Sequence, residues 1–311
     1  MVNIQEINYK DYGRCVRLSN DIVELVATLD FGPRIIRYSF IDGVNILNDN
    51  MEIFSRSVGQ PFKDYYGEDK FYCLYGGHRL WTSPEWYPEI YYPDNDPVDY
   101  KIITQNGKDG IILTPPAQKK NDIQMEIKLL LDADASNVEV THYVTNLGTR
   151  IKEFAIWSLS LCSKGGLEII PMNTNPTGLL PNGKIAIWPY TDFRMDEIYL
   201  GKKYTTIKQP VVDRLKLGFH LKDGTVYYVL DDSVFTKKYY PNYETGVYPD
   251  GGVSFETYSC ANFTEVETLG ELKKVAPNQT VTHVENWSLT KKPCDFDRKD
   301  DESIENFISK L

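Results

Sequence analysis

Polar and apolar residues alternate along most of this chain. DIVELVATL, IQMEIKLLL, NVEVTHYVTN, LKLGFHL, TVYYVL and VSFETYS each put apolar side chains on one side of an extended backbone, the period-two pattern of a half-buried strand. PRIIRYSF, YKIIT, GIILT, KEFAIWSLSL, LEIIPM, KIAIWPY, FTEVETL and TVTHVENWSL read the same way. Asn-Gly or Asp-Gly pairs in IDGVN, QNGKDGI, PNGKI and KDGTV mark hairpin turns between such runs. Helical spacing occurs only in DESIENFISKL, where Asp301 or Ser303 is placed to cap a short C-terminal helix. Roughly fourteen strands exceed what one open sheet carries, so the pattern predicts an all-β, mainly antiparallel pair of large sheets packed face to face.

No Pro/Ser-rich linker, shift of composition or fixed-period repeat divides the 311 residues, which predicts a single domain over 1–311. A formal charge of -10, from 34 basic and 44 acidic residues, argues against nucleic acid or an anionic membrane as partner. A small neutral or weakly charged ligand fits that balance. No run approaches the ~18 apolar residues of a membrane span. The start, MVNIQEINYKDYGRC, lacks a basic stretch followed by an apolar one, so the cytoplasm is the expected location. Five scattered cysteines without a C-x-x-C suggest neither a disulfide framework nor a zinc ribbon.

One stretch resists the strand reading. YGGHRLWTSPEWYPEIYYPDNDP, from Tyr75 to Pro97, is too rich in proline and glycine for regular structure and too rich in aromatics and charges for a plain connector. Trp81, Trp86 and Tyr92 here, with Trp188 in KIAIWPY, are candidate platforms for stacking on the C–H faces of sugar rings. Any of them serves equally well as core. DNDP at Asp94 and YPDGG at Tyr248 offer carboxylates for a structural or substrate-bridging calcium, but the spacing of an EF-hand loop is absent. No metal site and no cofactor is expected. P-loop, dinucleotide and nucleophile-elbow motifs are also absent.

LDFGPRIIRYSF, YGGHRLWTSPE with YYPDNDPV, LPNGKIAIWPYTD, and EVETLGEL followed by VAPNQTVTHVENWSL stand in an order that resembles the galactose mutarotase-like (aldose 1-epimerase-like) superfamily. Within it the chain looks most like a bacterial family without an established activity. The resemblance implies a β-supersandwich and a carbohydrate ligand. In mutarotases a glutamate takes the proton of the anomeric hydroxyl while a histidine protonates the ring oxygen. The match of VET to the glutamate's segment implies Glu267 as base, and Glu265, two residues earlier, shares its strand face. A solvated pair of acids on an exposed strand is the alternative. His78 lies in the region of a family His-Gly-Gly segment, here Gly-Gly-His, and is the candidate acid; Arg79 is placed to bind hydroxyls or a carboxylate. Bracing of the loop is the other role open to His78.

The chain departs from the family at Trp157, which stands where many mutarotases have a second histidine. An indole N–H donates a hydrogen bond but exchanges no proton near neutrality. Arg34, after the Gly-Pro turn, matches the family pattern as a substrate-facing guanidinium, with a surface ion pair as the alternative. His142 alternates with valines and is expected in the core. Three readings follow. The first is a mutarotase acting on a free sugar or derivative, the second a sugar-binding or sensing protein without turnover. The third is glycoside cleavage, which needs an opposing carboxyl such as Asp94 or Glu85.

Overall fold

In the computed structural model, which describes residues 1–51 and 59–311, the alternating segments form two sheets of 11 and 10 strands with antiparallel pairing. The chain therefore has the expected all-β sandwich architecture. Apolar side chains from the two inner faces make one core running from Val16 to Leu289. No helix among the described residues is long and apolar enough to cross a membrane.

Only one of the Asn/Asp-Gly pairs closes a tight hairpin. Between Asp99–Gln105 and Lys108–Thr114, Gln105 pairs with Lys108, and Asn106 and Gly107 both take positive φ, as a type I′ turn requires. KDGTV and PNGKI instead carry crossovers. Leu215–Phe219 and Thr225–Leu230 belong to different sheets, as do Leu167–Pro171 and Ile185–Ile187. A turn dipeptide fixes a local reversal of the backbone but not which sheet the next strand joins.

Two α-helices and a 3-10 turn at Lys10–Tyr12 complete the described chain. Gln60–Tyr66, which the periodicity does not predict, is one short run with proline in its first turn. Asp301–Ile308 is the expected C-terminal helix, burying Ile304 and Phe307. Its cap is Asp300, whose carboxylate accepts from Glu302 N–H at 3.0 Å, and not Asp301 or Ser303. Asp301 is occupied elsewhere. It accepts the backbone N–H groups of Lys202, Lys203 and Tyr204 and ties the helix to the sheet.

Five neighbouring strands of the larger sheet position the candidate site: His78–Ser83, Lys152–Cys162, Thr264–Leu269, Phe255–Ser259 and Leu215–Phe219. One face packs on the smaller sheet. The outer face carries a second apolar cluster, in which Trp81, Trp157, Leu159 and Leu269 meet Phe62, Tyr72, Ile90 and Tyr248 from the covering segments.

Candidate functional site

Strand register builds the outer face in rows. Arg79, Leu159, Glu267 and Glu256 lie side by side on four adjacent strands. The next row brings Glu265, Tyr258 and Lys216 together. Trp81 and Trp157 are paired in the row on the other side, their rings in edge contact with centroids 5.6 Å apart. Thus Glu265 and Glu267 do share a face, as their spacing predicts.

A cavity of about 500 Å³ opens over these rows, lined by Arg79, Trp81, Trp157, Lys216, Tyr258 and Glu265 from the sheet and by Tyr72, Glu85, Tyr91, Tyr190 and Arg214 around them. Arg79 donates to Glu265 at 3.1 Å and lies over the Trp81 ring at 4.2 Å. Lys216 sits against Trp157 at 4.4 Å and Trp188 at 4.9 Å, with its ammonium 2.8 Å from Glu256 and 3.2 Å from Glu267. Glu267 is fully buried beneath this layer and accepts the Trp157 indole N–H at 2.9 Å. Burial raises its pKa well above the carboxylate range. Lys216 opposes that shift, while Glu265 and Glu256 add to it. Glu256, equally buried, is pushed up to about 7, chiefly by desolvation, with Lys216 opposing and Asp250 reinforcing.

Several buried polar atoms in this region have no hydrogen-bond partner among the described residues. They are Tyr72 Oη, Arg79 Nε and Trp81 Nε1 around the cavity, and Glu267 Oε1 and Glu256 Oε1 beneath it. Each such group costs roughly 1–3 kcal/mol if nothing satisfies it, and several of them lie around this one aromatic cavity.

No family model and no curated protein matches the chain. Solved structures do. A TPR-domain containing protein from Parabacteroides distasonis superposes with a TM-score of 0.60 at 14% identity over 91% of this chain and 48% of that one, so the chain spans about half its length. A putative aldose 1-epimerase from Klebsiella pneumoniae gives 0.57 at 11% identity, covering 99% and 86%. A galactose mutarotase-like protein from Clostridium acetobutylicum gives 0.53 at 11%, covering 93% and 99%. The fold is that of the galactose mutarotase-like proteins.

Against that mutarotase-like frame, several expected site residues lie elsewhere. His78 is the main correction. It alternates with Arg79 and so points inward between the sheets, fully buried, rather than into the cleft beside Glu267. Arg34 is buried as well, bonded to Asp94 at 3.0 Å and to the Pro33 carbonyl at 2.9 Å, so the pair braces the loop and does not line the cavity. Tyr92 packs edge-on against Tyr66. Trp86 is exposed on the far side of its loop. Trp188 reaches the site only through its contact with Lys216.

Inside, His78 belongs to a closed hydrogen-bond chain. Lys237 donates to Ser160 Oγ (3.0 Å), the Val266 carbonyl (2.9 Å) and Glu285 (3.0 Å). One set of tautomers satisfies every group, assigned from the network. Ser160 donates to His78 Nδ1 (2.8 Å), His78 Nε2–H to His142 Nε2 (2.8 Å), and His142 Nδ1–H to the His283 carbonyl (3.1 Å). His283 Nε2–H donates to Thr268, which donates to Glu285. His142 is thus a core histidine, as expected. His78, His142 and Glu285 bring their ligand-type atoms within 4.8 Å of one another, yet they do not fit a metal centre. The 2.8 Å between the two Nε2 atoms is a hydrogen-bond length, shorter than the roughly 3.3 Å that two Zn–N bonds of about 2.0 Å impose in a tetrahedron. Glu285 already accepts from Ser158, Thr268, Trp287 and Lys237.

Lys216, Glu256, Tyr72, Tyr190, Arg214 and Tyr258 are site residues that the sequence reading missed. The sequence carried no signal for them: Lys216 in LKLGF and Glu256 in FETYS stand at the polar positions of alternating strands, and they are buried because other segments cover the outer face of the sheet. A buried charge of this kind needs a partner.

Proposed function

We propose that this protein is carbohydrate-active, binding a free sugar or sugar derivative in the cleft above Arg79, Lys216 and Glu265 and opening its ring in the manner of an aldose 1-epimerase. The observation that carries the reading is the convergence of unsatisfied polar atoms, Tyr72 Oη, Arg79 Nε and Trp81 Nε1, on an aromatic-walled cavity. Arg79 and Lys216 cap Trp81 and Trp157, so the more exposed Tyr190 and Tyr258 rings are the ones that meet the C–H faces of a sugar ring, while fixed donors and the Glu265 carboxylate take its hydroxyls. The structural likeness to putative aldose 1-epimerases supports the same class of ligand.

In this reading Glu267 accepts the proton from the anomeric hydroxyl in its ionised form, which Lys216 and Arg79 favour against the burial and neighbouring carboxylates that raise its pKa well above the carboxylate range. The acid expected of His78 is instead Glu256, directly opposite Glu267 across the strand pair and sharing its lysine. It keeps a proton up to about pH 7. A second reading, sugar binding without turnover, is favoured by one specific observation: Lys216 and Trp157 cover Glu267 completely. Glu267→Gln separates the two. It retains hydrogen-bonding reach but accepts no proton, so under the enzymatic reading it removes at least about 100-fold of the rate of anomer interconversion while leaving sugar affinity within a few-fold. Equal rates for both forms overturn the role of Glu267.

A further inference from the structure

The loop that follows the His78 strand has two walls. Trp81, Glu85 and Tyr91 face the cavity described above. Thr82, Ser83, Trp86, Glu89 and Ile90 face a second cavity of about 350 Å³, closed on its other side by Tyr65, Gln118, Lys120, Asn121 and Glu153. Trp86 is 67% exposed there. The loop does not present it loosely. Trp86 N–H donates to the Pro84 carbonyl at 2.9 Å, and Ile90 N–H donates to the Trp86 carbonyl at 3.0 Å. On the inner wall Tyr91 is bonded to Glu85 and stands edge-on to Trp81. Asn121 donates to the Glu89 carbonyl at 2.9 Å, which ties the far wall to the loop.

A tryptophan with its backbone fixed and 67% of its surface in water loses the burial that most rings of its size obtain. The cavity it lines mixes amide, hydroxyl and charged groups with the apolar Pro84, Ile123, Met125 and Phe154, a combination suited to a ring that carries both hydroxyls and C–H faces. We infer that the Trp86 cavity is a second carbohydrate subsite and that the ligand is an oligosaccharide lying across the loop, one ring in the first cavity and another over Trp86. This rests on the carbohydrate reading of the first cavity and extends it from a single sugar to a chain.

The test is calorimetric titration of wild type, Trp86→Ala and Arg79→Ala with glucose, xylose and N-acetylglucosamine, and with cellotetraose, maltotetraose, xylotetraose and chitotetraose. The expected result is that at least one tetrasaccharide binds wild type about 10-fold or more tighter than its monosaccharide, the order of one good stacking contact. Trp86→Ala removes that gain and leaves the monosaccharide unchanged, whereas Arg79→Ala weakens both. Tetrasaccharide affinity equal to that of the monosaccharide, or unaffected by Trp86→Ala, overturns the second subsite while leaving the first intact. If none of the seven sugars binds, both fall together.

Discussion

At the scale of single residues, the candidate site depends on how buried charges are balanced. Among the described residues Lys216 is the one cation paired with both Glu256 and Glu267, at 2.8 and 3.2 Å, and all three are almost wholly buried. Removing one partner of a buried ion pair leaves an uncompensated charge, which costs about 3–5 kcal/mol. Lys216→Met should lose that much stability in urea denaturation, and adding Glu256→Gln should restore part of it; a loss under about 1 kcal/mol would contradict the shared role. The sequence made some of this visible. Glu265 and Glu267 were legible because strand alternation fixes their common side, and Arg79 and Trp81 because they lie in the distinctive stretch, although its glycines and prolines hid the strand His78–Ser83 that carries them. The same alternation, carried one residue back, sends His78 inward. What was not legible was the strand order, and with it the meeting of Lys216 with a glutamate some fifty residues away.

At the scale of elements, the larger sheet works as a plate with a different chemistry on each side. The strand His78–Ser83 shows this most simply: Arg79 and Trp81 go to the cleft, His78 and Leu80 to the interior. Its starting point is set by Gly77. That residue has φ +64, and a Cβ on it would lie 2.4 Å from the Ile35 carbonyl oxygen. Its N–H donates to the Asn48 carbonyl at 2.8 Å and its own carbonyl accepts from Leu161 at 3.0 Å, so three segments converge on a position without a side chain. Gly77→Ala should cost about 2–4 kcal/mol, from the left-handed backbone and the clash together. An effect below about 0.5 kcal/mol in thermal or urea unfolding would contradict this account of how the strand is placed. Strands were legible element by element because one face buried in the core and one turned away from it write themselves into alternation. Crossovers were not, since an Asp-Gly turn looks the same whether the chain returns to its own sheet or moves to the other.

At the scale of the whole molecule, two sets of buried groups give stability a predictable dependence on pH. His78, His142 and His283 have their pKa values lowered by burial, His283 to about 3, so below about 6.5 the unfolded chain takes up protons that the fold refuses. Glu285 acts in the same sense below about 4.5: burial pushes its pKa up, but Lys237 and the histidines outweigh that and hold it well below the usual range. Stability therefore falls on acidification. Glu168 is raised to about 8 and Glu256 to about 7, in both cases chiefly by burial, and Glu267 is raised as well. These keep protons in the fold that the unfolded chain releases above about 4.5, so their contribution is lost as the pH rises through 7 and 8. Between about 4.5 and 6.5 the two sets oppose each other. A broad maximum of unfolding free energy in that window is expected from urea titrations across pH, and stability that climbs steadily from pH 6.5 to 8 would contradict it.

The central claim is that the outer cleft binds a sugar and opens its ring through its buried carboxylates. Two-dimensional exchange NMR of the anomeric protons, recorded on hexoses, pentoses, uronic acids and sugar phosphates with catalytic amounts of protein, tests it most directly. The account predicts that at least one of these sugars shows accelerated α–β interconversion with wild type and only the uncatalysed rate with Glu267→Gln. A sugar that binds without any acceleration by wild type would contradict the ring-opening step, and no interaction with any of them would contradict the carbohydrate site itself.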